Sequence, residues 1–543
     1  MLIADLAFGL TAKAIEHFLL FTVWQIVGAG GAWEGRADEG FERITQLSWL
    51  TPADRAALLQ PEAFEYPIPT QIISNGEHSP PPPSEQQRLL RARLGSDVDM
   101  FASKANLDRR SFLQSSMALS AAFVSLNGIF GPVFDVAHAE AFDAEALKER
   151  NAALAHQFVF DGHLHFVHDA YPDPRIAGLR FAARQMGAKG LPDRRPTMDD
   201  LKFENFAKEV YMDSDTAAGI VSSATSDHPE LIFLTNKQIA DSVRRFNDLA
   251  GSRRLYGHAV FRPGFPGWME EVEEAIAVHK PISWKGYTIG DPLGPSKYAW
   301  RMDDEKLVYP AYEKMRKAGI RTICIHKGLL PESAEQHLPN TWRHAAVDDV
   351  GKAAKDWPDL NFVIYHAALR PAVMIEPAFI AQFEKTGRID WVTDLAEIPA
   401  KFGVKNVWAD VGTSFGSAAI SHPRLAAGIM ATLVKGLGPD RVLWGTDAVW
   451  YGSPQWQIEA LRRMEVPEDL RRKFGWKELG PAGGRLKNAI LGGNSGALYG
   501  LKGKNAHAAS KRQDRLARYK DQYLAGGEKR SNAFYGFIHK AST

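Results

Sequence analysis

The chain has 543 residues, 45% of them hydrophobic, and 65 Lys and Arg against 64 Asp and Glu leave a net charge of +1. That length buries at least one large core and exceeds a single small domain, while the balanced charge excludes an overall positive field of the kind that draws nucleic acid or an anionic membrane. The single cysteine, Cys324, cannot form an internal disulfide, and its place in an apolar run two residues before His326 marks it as a small core residue rather than a nucleophile.

In chain order, residues 13–33 form an apolar run broken by Lys13, Glu16 and His17. Its uncharged part, Phe18–Trp33, is short for a membrane span and ends in Gly28-Ala-Gly-Gly31, so a buried or partner-facing helix is expected rather than a stable span. Pro80–Pro83 predicts a stiff, extended linker, and a charged helical piece follows over Glu85–Gly95. Asp108-Arg-Arg-Ser-Phe-Leu-Gln114 has the form of a twin-arginine export signal, followed by an apolar stretch, Ser115–Phe134, and a small-x-small site at Ala137-His-Ala139. Periplasmic delivery by that route is the expectation. The alternative is a cytoplasmic protein with an uncleaved N-terminal region, in which Arg109 and Arg110 begin a helix packed on the main domain. The signal lies well inside the chain, so either Met100 is the start or residues 1–99 are an extension. The organisation therefore reads as 1–99 extension, 100–139 signal-like segment, 140–502 main domain and 503–543 basic tail.

After Glu140, apolar runs alternate with amphipathic stretches, the pattern of an α/β fold with a parallel sheet. Strands are predicted at 157–165, 218–224, 254–262, 281–288, 320–326, 360–366, 406–412 and 441–447. Between them lie helices such as Trp268–His279, with Met269, Val272, Ala275 and Ile276 on one side and Glu270, Glu271, Glu273 and Glu274 largely on the other. Eight such units predict a (β/α)8 TIM barrel, in which chemistry belongs at the C-terminal ends of the strands. The stretch from Val167 to Thr216, with helical patches at Ile176–Met186 and Asp199–Met212, is long for a connection and is expected to be a lid or an oligomer contact. In the tail, Lys511–Lys520 reads as a basic amphipathic helix that docks on the barrel or a second subunit, and not on nucleic acid.

The polar residues follow the barrel rule. In Phe160-Asp-Gly-His-Leu-His165, alternation places Asp161, His163 and His165 on one face of the first strand. The fifth strand ends in His326-Lys327, the sixth in His366 and the eighth in Gly445-Thr-Asp447. A lone histidine at a strand end is commonly a solvated loop residue. Four imidazoles and a carboxylate at one mouth are instead a nitrogen and oxygen inventory suited to one divalent ion, zinc first, with manganese or another transition metal as the alternatives.

This set, D-x-H-x-H, strand-five His, strand-six His and strand-eight G-T-D, resembles the amidohydrolase superfamily. It is most similar to the amidohydrolase-related branch that includes 2-amino-3-carboxymuconate-semialdehyde decarboxylase and γ-resorcylate decarboxylase. The likeness runs from about Phe158 to Leu501 and includes the closing Ile490-Leu-Gly-Gly-Asn-Ser-Gly-Ala-Leu-Tyr499 helix. The chain departs from the pattern at His366-Ala-Ala-Leu, where a glycine usually follows shortly, and at Asp447-Ala-Val, where a proline is often nearby. The resemblance implies a mononuclear site with His163, His165, His326 and Asp447 as metal ligands and His366 as general acid or base. Asp161 and Asp410 are expected to orient ligands rather than bind. Some relatives carry a carbamylated lysine at the position of Lys285, although the strand-five histidine favours one metal.

A bound divalent ion activates water or polarises a carboxylate, Asp447 can take a proton from that water, and His366 can protonate a leaving group. The leading expectation is a hydrolase that uses a metal-bound water to cleave an amide, ester or lactone in a small carboxylate-bearing substrate. The alternatives are a non-oxidative decarboxylase of an aromatic or muconate-type acid and a degenerate barrel kept for binding or assembly. A carboxylate substrate needs a cationic clamp, for which Arg262, Lys285, Lys327 and Arg370 are the candidates. A homodimer is expected.

Overall fold

The computed structural model describes residues 66–74, 81–171, 201–292, 294–336, 338–371, 375–501, 514–525 and 537–538. The expected run at 13–33, the patch Ile176–Met186 and residues 502–513 of the tail lie outside the described residues.

Eight parallel strands form the barrel: β1 Phe160–His165, β2 Ala218–Ser222, β3 Leu255–Phe261, β4 Ser283–Tyr287, β5 Thr322–His326, β6 Asn361–Tyr365, β7 Val407–Asp410 and β8 Val442–Leu443. Each pairs with the next in sequence order. All eight fall inside the predicted ranges, and nearly every strand residue is buried, as expected where helices cover one face and packed side chains fill the other. The eighth strand is shorter than predicted because the chain leaves the ladder at Trp444 to build the site. The ring is then closed on β1 by Gly162 N–H to Trp444 O at 2.9 Å, Asp447 N–H to His163 O at 2.9 Å and His165 N–H to Ala448 O at 2.6 Å. The β1–β2 register shifts by one residue between Asp161 and Leu164, a bulge that re-aims the side chains beside it. The helix expected over Trp268–His279 is α-helical to Glu274 and finishes as a π-turn.

The segment before the barrel folds as helices α1 Glu85–Lys104, α2 Arg109–Leu113 and α3 Ser116–Phe130. α1 runs beyond the charged piece expected from sequence. It opens on a capping box in which Gln87 N–H donates to Ser84 Oγ at 3.2 Å and Ser84 N–H to Gln87 Oε1 at 3.0 Å. Its buried Leu90, Leu94, Val98 and Phe101 recur every three to four residues, one face of the helix. The twin-arginine-like stretch makes α2, capped by Asp108, with Arg109 ion-paired to Asp99. In α3, every residue from Met117 to Leu126 is buried.

These helices share one continuous apolar core with the barrel. The seam is also polar. Asp135 N–H donates to Arg463 O and Glu465 N–H to Val133 O, both at 2.7 Å, and Arg463 reaches Glu140 at 2.6 Å while Arg150 reaches Glu459 at 2.9 Å. Residues 109–113 and 116–130 thus form helices packed on the main domain.

Of the long β1–β2 insertion, the described part from residue 201 onward is barrel wall. Phe203 and Phe206 pack on Phe166 with ring centroids 5.4 and 4.9 Å away. The tail helix Arg515–Ala525 docks on the barrel, where Arg254 makes a buried two-pronged ion pair with Asp514 at 2.7 and 2.8 Å. Ile73–Ser74 pairs antiparallel with Phe537–Ile538. Among the described residues, no helix is long and apolar enough to cross a membrane.

Candidate metal centre

β1, β6 and the turn after β8 bring His163, His366 and Asp447 together, each buried and each with a ligand atom within 4.8 Å of the others. His165, two residues along β1, joins them: its Nε2 lies 3.0 Å from His163 Nε2 and 3.4 Å from Asp447 Oδ1. His163 Nε2 is 3.3 Å from that same oxygen. His326 enters from β5 through its Nδ1, 3.2 Å from His366 Nε2. Of the expected ligands, His163, His165 and Asp447 thus meet directly, and His326 meets the group by way of His366.

Protonation follows from the partners. Burial, then the nearby Lys285 charge, holds His163 well below the usual imidazole range and His165 at about 3, so both rings are neutral. His165 Nδ1 faces the Ser222 carbonyl at 3.1 Å, a group that can only accept, so Nδ1 carries the hydrogen and Nε2 a lone pair. His163 Nδ1 faces Asp410 Oδ1 at 3.2 Å. Burial drives Asp410 upward against the opposing Lys285 charge; even with a proton on Oδ2, its Oδ1 remains an acceptor, so His163 also turns a lone pair inward. Two imidazole lone pairs and a carboxylate oxygen therefore converge within 3.4 Å. Such a set repels itself and fits a divalent cation, whose ligand atoms in a tetrahedral shell of about 2.0–2.1 Å bonds sit about 3.3 Å apart. The donors are the nitrogen and oxygen atoms such an ion takes, and the groups behind them fix their orientation.

Asp161, expected to orient rather than bind, accepts from His163 N–H at 3.0 Å, Thr446 N–H at 3.1 Å and Thr446 Oγ at 2.5 Å, tying β1 to the turn after β8. Burial pushes it up to about 7 despite these bonds. Tyr365 packs its ring 4.1 Å from that of His163 and donates to Gly162 O at 2.7 Å. It accepts in turn from His258 Nε2 at 2.9 Å, and Ser283 donates to His258 Nδ1 at 2.7 Å, so the final carbonyl fixes the direction of the whole chain. Tyr287 stacks on His326 with centroids 4.6 Å apart, and Phe233 and Trp450 flank His165 at 6.0 and 6.3 Å.

The four clamp candidates lie in different settings. Arg262 donates from Nε to Glu271 at 2.7 Å. Lys327, fully buried, lies 2.9 Å from both oxygens of Asp349 and donates to His344 O at 2.7 Å. Arg370 reaches Glu332 at 2.8 Å and lies 5.1 Å over Trp391. Lys285 is buried in the barrel interior with Nζ 3.6 Å from the centre of the Tyr365 ring, a cation over an aromatic face.

The sequence reading passed over Thr413, Ser414, Thr446, Tyr365 and Tyr451. Thr413 donates to Asp447 Oδ2 and lies 2.7 Å from Tyr451 OH, and Ser414 donates to His366 O at 2.6 Å. Position alone marks Thr413 and Ser414 in the sequence: they lie three and four residues after Asp410, just past the C-terminal end of a strand.

A closed (β/α)8 barrel with neutral imidazoles and a carboxylate gathered at its C-terminal mouth defines a metal-dependent barrel enzyme. The amidohydrolase family model matches residues 160–501, well over half of the chain. The protein belongs to that family, as an enzyme of hydrolase or decarboxylase type. No curated protein matches the chain significantly. Similar solved structures include an uncharacterized TIM-barrel protein from Bordetella bronchiseptica, at 14% identity and a TM-score of 0.40 over 63% of this chain and 98% of that one. The 2,6-dihydroxybenzoate decarboxylase of Rhizobium matches at 14% and 0.36, over 64% and 100%. The 5-carboxyvanillate decarboxylase of Novosphingobium aromaticivorans, determined with bound manganese, matches at 12% and 0.37, over 64% and 98%. These are likenesses of fold.

Proposed function

We propose that the protein is a metal-dependent non-oxidative decarboxylase of a small aromatic or muconate-type acid. The observation that carries this reading is the state of the basic residues at the mouth. Arg262, Lys327 and Arg370 are each engaged by a carboxylate of the chain itself and Lys285 is buried against the Tyr365 ring, so the charge that would meet a substrate carboxylate is the ion's own. His163, His165 and Asp447 would hold that ion, with His326 completing the set. A divalent ion so held binds and polarises a carboxylate or carbonyl oxygen and makes its bound water more acidic.

The remaining steps belong to the chain. Asp447 has Oδ2 occupied by the Thr413 hydroxyl and turns Oδ1 to the imidazoles, so it is placed to bind rather than to shuttle protons. His366, with Nε2 3.2 Å from His326 Nδ1, would in its protonated imidazolium form hand a proton to the carbon whose bond to the departing CO2 breaks, leaving a neutral imidazole that solvent reprotonates. Phe233 and Trp450 supply aromatic surface beside His165 for a flat substrate.

Hydrolysis of an amide, ester or lactone is the second reading, favoured by Asp447 Oδ1, which faces the place where water would bind. Two measurements test both. Purified protein is expected to carry about one divalent ion per chain and His163→Ala to lose it; a metal-free wild type sinks either reading. With hydroxyaryl and muconate-type acids the decarboxylase reading expects CO2 release with no labelled oxygen in the organic product, and no CO2 from these acids together with label from water in the product of a lactone, ester or amide overturns it in favour of hydrolysis. Export by the folded-protein route is proposed on the Arg109-Arg110 motif alone, and fractionation of periplasm from cytoplasm checks it.

A further inference from the structure

Three residues of the site, His163, His366 and Asp447, come from elements far apart in sequence, yet one five-residue turn touches all of them. After β7 the chain runs Asp410-Val-Gly-Thr-Ser414 into the helix Gly412–Ser421. Asp410 Oδ1 faces His163 Nδ1 at 3.2 Å, Thr413 Oγ donates to Asp447 Oδ2, and Ser414 Oγ donates to His366 O at 2.6 Å. Gly412 sits in the angle between them. A Cβ there would lie 2.8 Å from His366 Nδ1, 3.0 Å from His163 Nδ1 and 3.2 Å from Asp410 Oδ1, at a φ of +36°. Any side chain at that position would push the two imidazoles apart.

We infer that the Asp410–Ser414 turn is the positioning element of the metal centre, and that Thr413, backed by Tyr451, is the residue that sets the coordinating face of Asp447. Asp447 itself has a positive φ of 60°, a conformation a non-glycine residue holds at some cost, so its side chain needs an outside tether to keep one oxygen turned to the site. The Thr413 hydroxyl has one hydrogen, and the acceptor Asp447 takes it. Tyr451 OH, 2.7 Å away, therefore donates to Thr413. The resulting chain, Tyr451 O–H to Thr413 O–H to Asp447 Oδ2, is buried throughout and holds the carboxylate so that Oδ1 points at His163 and His165. Thr413 touches neither ion nor substrate and acts through Asp447. Polar groups of this kind behind metal ligands change affinity about 10–100-fold when removed.

This inference rests on the metal reading proposed above, and the experiment separates the two. Mn2+ alone is titrated into the full-length, metal-stripped protein, with Co2+ substitution reporting ligand geometry through its visible absorption. Thr413→Val, which keeps the shape and removes the hydroxyl, is expected to weaken Mn2+ binding by about 10–100-fold and to alter the cobalt spectrum, while its thermal midpoint without metal stays at the wild-type value. Thr413→Ser restores both affinity and spectrum, which replacement of lost packing alone would not do. Gly412→Ala weakens binding by moving the imidazoles. If wild type binds Mn2+ and Thr413→Val binds it equally well, the positioning role is overturned while the metal reading stands. If wild type binds neither ion, both are overturned.

Discussion

At the scale of single residues, the site is defined as much by missing side chains as by present ones. Gly445 is where the turn after β8 crosses under His163 and Asp410, and a Cβ there would stand 2.1 Å from Asp410 Oδ2 and 2.7 Å from His163 Cβ. Gly445→Ala is expected to cost about 1–3 kcal/mol of stability by overpacking and to lower metal content, read by urea denaturation and metal analysis. Arg254 is a contrasting case far from the chemistry. It is the buried partner of Asp514 and also donates to Ala217 O at 2.7 Å. Removing one member of such a pair leaves a buried charge alone, so Arg254→Ala is expected to cost about 3–5 kcal/mol, measured by denaturation. The histidines and Asp447 were legible in the sequence because each ends an apolar run. Thr413 and Tyr451 were not, because a hydroxyl shows its use only through the partner that folding brings to it.

At the scale of elements, the turn after β6 carries the strain. His366, Ala367 and Ala368 have φ of +59°, +49° and +53°, three successive non-glycine residues in the left-handed region, at about 1–2 kcal/mol each. What holds the turn is visible around it: Ser414 on His366 O, Leu369 N–H back to His366 O at 3.0 Å, and Leu329 N–H to Leu369 O at 2.7 Å. Gly328 at φ +79° lets the β5 loop lie against it, since a Cβ there would meet the Ala368 carbonyl carbon at 2.5 Å. Gly328→Ala is therefore expected to destabilise by more than the about 1–2 kcal/mol of a left-handed alanine, because the clash adds to it; an equilibrium denaturation curve matching wild type would refute the packing account. The eight strands were readable from apolar runs, since a parallel strand is buried on both faces. The left-handed turn was not, because Ala-Ala carries no local signal for positive φ.

At the scale of the whole molecule, the helices α1–α3 and the barrel share one continuous apolar core. The seam holds Glu459 among Arg150, Arg462 and Arg463. Burial pushes that carboxyl up, but Arg462, Arg150 and Arg463 together bring it down to about 2 against an ordinary value of 4.5. A carboxylate lowered in the folded state contributes stability that is complete above the unfolded value and is lost as pH falls toward the folded one. The thermal midpoint is thus expected to fall between about pH 4.5 and 2, and Glu459→Gln to flatten that limb while lowering the midpoint at neutral pH by leaving buried guanidinium groups short of a partner. A chain begun at Glu140, the product of cleavage after Ala139, would expose the barrel surface that α3 and Phe134 cover. It is expected to aggregate or to melt well below the full chain. If the protein is exported, the mass of the mature form is expected to include α1–α3.

By itself the sequence determined the barrel and the residue types that stand at its strand ends, because period, burial and side-chain chemistry are local properties. It also raised two readings of residues 108–134, export as the expectation and a packed helix as the alternative, since an apolar helix that packs and one that guides export are written with the same residues. Tertiary structure decided the packing of α1–α3 on the barrel, the pairing of Arg262, Lys327 and Arg370 with carboxylates of the chain, and the gathering of His163, His366 and Asp447 around one turn. Each depends on which distant side chain arrives at hydrogen-bonding distance, and that is set by the closure of the barrel rather than by any stretch of chain.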